Sequence, residues 1–439
     1  MNNFGYPRNL SYIVKRLSGY SKNTFKLQTL NQSSASAGQI ITVDLPSNAL
    51  VDLSSLSWHF KGTTTASAAE CTFPRGIETI IERLEIEING QVIGSGCSYY
   101  NQLWSIISDI SMGQDVKNRR SVMQNGGGIN LGNLMPVTKR PFCIQNWLGF
   151  IGSAKPEILD TSILGNVRIR ITLASPQILV MANNCTNPSY QLDDMYFSVD
   201  TIDLSDGVFH ALHAQHLQNG GTYEIPFKNY LSYSSSGSLS QSTKFSLSSQ
   251  SLNRVWATFV PGSNYILGGQ ATSHYIDTNS ETSPYFTRIG NGGIIRYGTS
   301  VNNTSVTYKL DNWQFNVNNV YFPNWRPSAE EAFPLLLNSM NVSQDVLGGC
   351  TPGLNSLDRW NDSFWVASQE FEHGSDDYIS GIDTRGSTAQ CFFETSGSVT
   401  PGAKSGDGHG PGGNLTCLVF CETTSVLRVG AGKMLELIS

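Results

Sequence analysis

Charge is what this sequence has least of. Asp, Glu, Lys and Arg together make up 14 % of the chain, against about 25 % in ordinary soluble proteins. The polar surface must therefore be built mostly from Ser, Thr, Asn and Gly, which suits a β-rich protein with long loops. The net charge of −6 excludes a surface that is a nucleic-acid platform as a whole. Long apolar runs are also missing. No uninterrupted stretch reaches the roughly 18 residues of a membrane span, and the start "MNNFGYPRNLSYIVKRLSGY" has no hydrophobic core of a signal peptide. Cysteine is present but unpaired in pattern: the eight, at 71, 97, 143, 185, 350, 391, 417 and 421, lack zinc-type spacing. The closest two, Cys417 and Cys421 in "CLVFC", fall on one face of a strand. Free, buried thiols in a reducing compartment are expected.

Long helical patterns are absent too, and strand patterns fill the chain. "QIITVDLP" (39–46), "LSWHFKG" (56–62), "RLEIEI" (83–88), "NVRIRITL" (166–173) and "MYFSVDTIDL" (195–204) alternate or carry β-branched runs. The second half has "TKFSLSS", "RVWATFV", "SVTYKLDNWQFNV", "LTCLVF" and "MLELI". With 439 residues the chain exceeds one ordinary domain.

Two segments combine strand, turn and short helix. In 76–110, Ile77, Ile80, Ile81 and Leu84 sit at helical spacing before the period changes to two at Leu84, Ile86 and Ile88. Asn89-Gly90 predicts a hairpin turn, because both residues accept positive φ. Leu103, Trp104, Ile106, Ile107 and Ile110 then predict a helix. In 312–340, Trp313, Phe315 and Val317 alternate, Asn318-Asn319 turn, and Phe333, Leu335, Leu336 and Met340 form a second short helix with Ser328 as its expected N-cap. A shift of 229 lays one segment on the other, Trp104 on Phe333. A second pair, "LSSLSWHF" (53–60) and "LNRVWATF" (252–259), matches at a shift of 199. The difference between the shifts implies a longer loop in the second copy, for which 261–297 has the composition. The chain reads as a duplication. Each half has room for eight strands, the complement of a jelly roll.

The histidines pose a separate question. His210, His213 and His216 crowd into "FHALHAQHL" (209–217), between the halves. On a helix they would span about 9 Å of axis and fan over roughly 120°, so the three rings cannot all converge on one zinc ion. A structural linker helix over 206–221 and a partial metal site are both compatible with the spacing. The linker fits better, since the histidines lack the familiar two-histidine i, i+4 zinc arrangement. "SGDGHGPGGN" (405–414) and "QNGGGIN" (124–130) lack the following helix that a phosphate loop requires. His373, Asp376 and Asp377 in "FEHGSDDY" match no calcium-loop spacing, and no G-x-S-x-G elbow is present. No catalytic, cofactor-binding or metal residue is assigned, and no enzyme activity is expected. The first 43 residues hold Arg8, Lys15, Arg16, Lys22 and Lys26 and no acid. This arm either touches nucleic acid or an anionic membrane surface, or is simply solvated.

At 80–110, "IIERLEIEINGQVI" followed by "YYNQLWSII" resembles the major capsid proteins of the double jelly-roll lineage, among them those of polinton-like viruses, virophages and nucleocytoplasmic large DNA viruses. Relatives often carry two glycines before the Gln where this chain has Asn89-Gly90-Gln91. "SLNRVWATF" (251–259) resembles the matching strand of the second barrel. The resemblance implies an all-β fold of two tandem eight-stranded jelly-roll barrels with short accessory helices. It divides the chain into an inner-face arm (1–24), a first barrel (25–205), the linker helix (206–221) and a second barrel (222–439). It further implies homotrimeric, pseudo-hexagonal capsomers tiling an icosahedral shell of a DNA virus. The partners would be neighbouring capsomers, penton and minor capsid proteins, and an internal membrane or the genome met through the arm, with no small-molecule substrate. The chain would be assembled inside the host cell into the virion, not secreted. The competing reading is a β-sandwich carbohydrate-binding or carbohydrate-active protein, which would display tryptophans in a cleft. Trp58, Trp104, Trp256 and Trp313 instead fall at core positions of the repeated patterns.

Overall fold

The computed structural model describes residues 20–67, 71–74, 76–94, 96–112, 129–130, 133–134, 137–181, 187–204, 215–261, 284–291, 294–297, 304–342, 360–361, 364–373, 380–386, 390–400 and 415–439. The first half contains β1 (Tyr20–Gln28), β2 (Ile40–Asp44), β3 (Leu50–Thr65), β4 (Ile81–Ile88), β5 (Gln91–Gly94), β6 (Arg140–Ile144), β7 (Val167–Leu173) and β8 (Ser189–Leu204). One sheet runs β1-β8-β3-β6 and the other β2-β7-β4-β5. The second half contains β9 (Tyr223–Gly237), β10 (Gln241–Phe245), β11 (Leu252–Pro261), β12 (Thr304–Val317), β13 (Val320–Phe322), β14 (Ala367–Glu370), β15 (Cys391–Thr400) and β16 (Leu415–Val429). Its sheets run β9-β16-β11-β14 and β10-β15-β12, with β13 on the far side of β12. Adding eight to each strand number converts the first order into the second. Both halves are jelly rolls of one topology.

Local chemistry explains the strands and turns. β7 alternates buried and half-buried residues along its whole length, the mark of a strand with one face on the core. β4 and β5 are joined by Asn89 (φ 50°) and Gly90 (φ 85°), and β12 and β13 by Asn318 (φ 54°) and Asn319 (φ 65°). Both hairpins therefore use turns with two positive φ values, whose twist suits antiparallel strands. A helix follows each hairpin, α1 (Tyr100–Ser111) in the first half and α2 (Ala332–Ser339) in the second. The Leu53, Leu56, Phe60 triplet of β3 and the Leu252, Val255, Phe259 triplet of β11 are all buried, which matches the shift of 199.

Several boundaries move. The helical spacing at Ile77 gives only one 3₁₀ turn, Ile77–Ile80, and β4 begins at Ile81 rather than Leu84. The 3₁₀ turn ends where Ile81 becomes extended to pair with Leu173. Ser328 exchanges hydrogen bonds with Glu331, N–H to carboxylate at 2.7 Å and N–H to hydroxyl at 3.4 Å, a capping box. Regular helix starts one turn later, at Ala332. Part of the expected loop 261–297 is a strand, because Ile294–Tyr297 pairs with Thr304–Thr307. Residues 20–24, expected in the arm, belong to β1 and pair with Asp200–Leu204. Their polar, exposed sequence hides the strand because β1 lies at a sheet edge. Of the expected linker helix, 205–214 lie outside the described residues, and Gln215–Gln218 form one helical turn.

Aromatic rings fill both barrels. In the first, Trp58 stacks on Phe197 at 5.8 Å, and Phe142 contacts Phe60 and Phe73. In the second, Phe393 contacts Phe259 and Phe315. Trp58, Trp256 and Trp313 are fully buried and Trp104 nearly so. Gly62, toward the C-terminal end of β3, has no room for a side chain: a Cβ there would sit 2.7 Å from Phe73 and 2.9 Å from Phe142. Gly62→Ala should overpack this layer and cost about 1–3 kcal/mol, read as a lower urea midpoint with an unchanged slope.

Candidate assembly surface

The two barrels meet along a seam that starts from a simple need. β9 is an edge strand, bonded on one side to β16, and an open edge presents unpaired backbone groups. The first barrel covers it. The Ser232 N–H donates to the Gly96 carbonyl at 3.0 Å, and the Lys155 N–H donates to the Pro226 carbonyl at 3.0 Å. The Ser153 hydroxyl accepts from the Lys228 N–H at 2.8 Å, and the Ser232 hydroxyl accepts from the Ser98 N–H at 2.9 Å. Apolar contacts seal the same line. Phe150 meets Phe227 edge-on at 5.0 Å, and Leu231 lies so close to Gly96 that a Cβ there would fall 2.0 Å from its methyl carbon.

α1 holds the second contact. The Gln102 amide donates to the Tyr285 carbonyl at 2.7 Å. Beyond it the Arg288 guanidinium forms an ion pair with the Asp109 carboxylate and donates to the Ser105 hydroxyl at 3.1 Å. Arg288 also lies over the Phe364 ring. The side chains of Arg288 and Asp109 are 1 % and 9 % exposed, so the pair is a buried cross-link between halves. Sequence reading missed it. The only hint is Ser105 and Asp109 standing at i, i+4 in the otherwise apolar "LWSIISDI"; nothing in "YFTRIG" marks Arg288 as their partner.

The outward faces carry a different pattern. Phe25, Leu30, Ile40, Val92, Val320, Tyr321 and Trp325 are large apolar residues at least two-fifths exposed. Val92 and Tyr321 are equivalent under the shift of 229, so each barrel shows an apolar residue on the same edge hairpin.

The chemical candidates fare differently. His210 and His213 lie outside the described residues. The His216 ring approaches the Thr222 carbonyl at 3.4 Å and packs on Tyr223 at 4.9 Å, and Gly221 leaves space for it. Its local partners are structural. His373 is exposed, and Asp376 and Asp377 lie outside the described residues, as do 124–128 and 405–414. Among the described residues no cluster of three or more His, Cys, Asp or Glu could hold a metal ion. A shallow depression lined by Ser240, Gln241, Ser242, Asn312, Arg326, Glu394 and Thr395 carries no aromatic ring on which a sugar could stack. Cys71, Cys97, Cys143, Cys391, Cys417 and Cys421 are free thiols. Burial pushes Cys97 and Cys417 up to about 12; Cys185 and Cys350 lie outside the described residues.

No protein-family model matches the chain, and no curated protein matches it. Solved structures do. VP54 of PBCV-1, fitted into a cryo-EM reconstruction of the virophage Sputnik, is 15 % identical, with 96 % of this chain and 97 % of that chain covered and a TM-score of 0.62. The Faustovirus major capsid protein is 9 % identical, with 98 % and 92 % covered and a TM-score of 0.56. A chain of the cryo-EM structure of the Sputnik virophage is 11 % identical, with 95 % and 88 % covered and a TM-score of 0.51. At such identities the likeness establishes a shared fold, and it spans both jelly rolls.

Two outcomes follow from the seam and the thiols. Asp109→Ala leaves Arg288 buried without its counter-ion and should cost about 3–5 kcal/mol, whereas Asp109→Leu with Arg288→Met should recover most of the loss; urea midpoints of the three proteins check this. With pKa values near 12, Cys97 and Cys417 hold almost no thiolate at mildly alkaline pH. Mass spectrometry after maleimide treatment should find both unmodified in the folded protein and modified in guanidinium.

Proposed function

We propose that this chain is a viral major capsid protein whose homotrimers form pseudo-hexagonal capsomers of an icosahedral shell. One observation carries the reading: two jelly rolls of identical strand order lie in one chain, joined by a built seam. A single-barrel chain would need six copies to make a six-sided tile. A chain of two like barrels needs three, because each barrel supplies one roughly equivalent side. The fold shared with the Faustovirus and PBCV-1 proteins supports the same role. So does a surface low in charge and rich in Ser, Thr and Asn, since contacts repeated over a shell can each be weak.

The role is structural and requires no catalytic step or cofactor. In this reading the barrels occupy 20–204 and 222–439, with the linker over 206–221 between them. Neighbouring capsomers, penton proteins and minor capsid proteins are the partners, and the virion is the location. Arg8, Lys15 and Arg16 would face the genome or an internal membrane. The five-charge arm of the sequence is smaller than its count, because Lys22 pairs with Asp200 at 2.9 Å and Lys26 lies over Tyr196. Nothing favours the carbohydrate reading: the four tryptophans expected to discriminate it are buried.

Light scattering of the purified chain should give a trimer, and negative-stain images should show six-sided particles or sheets of them. A monomer that forms no ordered particle at any concentration would remove the capsomer assignment.

A further inference from the structure

The seam inside the chain has a vacant counterpart. The two edge strands, β1 and β9, can be aligned through their neighbours. Lys22 pairs with Asp200 at 2.9 Å across β1 and β8, and Lys228 pairs with Glu422 at 2.7 Å across β9 and β16. Lys22 faces Ile202 and Thr24 faces Asp200 in the first register; Lys228 faces Thr424 and Tyr230 faces Glu422 in the second. The strands therefore superpose residue by residue at a shift of 206, and their neighbours at 222. Under this alignment Phe25 takes the place of Leu231. Lys26 takes the place of Ser232, and Tyr20 that of Pro226.

In β9 these positions are the seam. Leu231 packs on Gly96, the Ser232 N–H is bonded to Gly96, and the Pro226 carbonyl accepts from Lys155. In β1 the counterparts of Leu231 and Ser232, Phe25 and Lys26, are exposed. Phe25 is 46 % exposed, and among the described residues no segment caps the outer edge of the strand as the first barrel caps β9. The covering element has a counterpart as well. Under the shift of 229 that aligns the hairpins and helices, Gly96 corresponds to Trp325, which follows β13 just as Gly96 follows β5. Trp325 is 51 % exposed.

We propose that the free edge of β1 at Phe25 is the docking site for the Trp325 segment of a second copy of this chain. The seam between halves is then repeated between molecules. First-barrel edge meets second-barrel loop, a head-to-tail contact that uses different surfaces on the two partners and closes into a ring when the rotation allows. The two seams are alike in place and unlike in detail. Inside the chain an aliphatic side chain lies over a glycine; between chains two aromatic rings meet, a pairing enriched at the centres of interfaces. The proposal rests on the capsomer reading, whose ring supplies the second copy.

Cysteine cross-linking of the full chain tests it. Phe25→Cys with Trp325→Cys, mildly oxidised, should give covalent dimer and trimer on a denaturing gel and no larger species, while each single variant matches the unsubstituted chain. In light scattering at falling concentration, Phe25→Ala or Trp325→Ala should weaken the trimer by about tenfold or more with unchanged circular dichroism. A trimer that forms without any cross-link dependent on both cysteines overturns the docking site and leaves the capsomer standing. Failure of the unsubstituted chain to form trimers overturns both. If Phe25→Cys is shielded from maleimide in the full chain but becomes reactive once residues 1–19 are deleted with the trimer retained, the arm covers this edge and the docking site is refuted.

Discussion

An edge strand cannot be left open at no cost, and that constraint organises the molecule. A jelly roll made of two four-stranded sheets ends each sheet in a strand with unpaired backbone groups. The chain meets the problem at β9 by bringing Gly96 and Lys155 of the first barrel against it. The buried Arg288–Asp109 pair adds directional fixing to a contact that apolar packing alone would leave free to slide. Such a pair contributes more to the geometry of the contact than to net stability, since desolvating both charges offsets much of their attraction.

Duplication turns this local solution into an architecture. Two barrels of one topology offer the same kinds of edge and loop twice, once satisfied within the chain and once presented outward. Among the apolar residues that remain exposed, Val92 and Tyr321 sit on matching hairpins, and Phe25 and Trp325 hold the positions equivalent to Leu231 and Gly96 of the seam within the chain.

Much of the fold was legible because its determinants are local. The period-two runs of β4 and β7 declare their buried faces, and Asn89-Gly90 declares its turn through the backbone that Asn and Gly tolerate. The match of Leu53, Leu56 and Phe60 with Leu252, Val255 and Phe259 shows that two strands bury the same face. Harder to see were β1, β6, β9, β14 and β15. β1 is exposed along most of its length and β15 buries little beyond Cys391 and Phe393, so neither writes a clear alternation. The Ile77 segment misled for a related reason: four apolar residues at helical spacing suit a 3₁₀ turn running into a buried strand as well as they suit a helix.

The sequence by itself determined the class, the duplication and the burial of Trp58, Trp104, Trp256 and Trp313. Each depends on which side chains avoid water and on which residues adopt positive φ, and both are properties of short stretches of chain. Tertiary structure alone decided that Arg288 finds Asp109, 179 residues away, and that Leu231 is covered while Phe25 is bare. Those outcomes depend on which edge of one barrel is placed against which loop of the other. No local pattern encodes that choice, because two edge strands of similar polarity become different only when one of them acquires a neighbour.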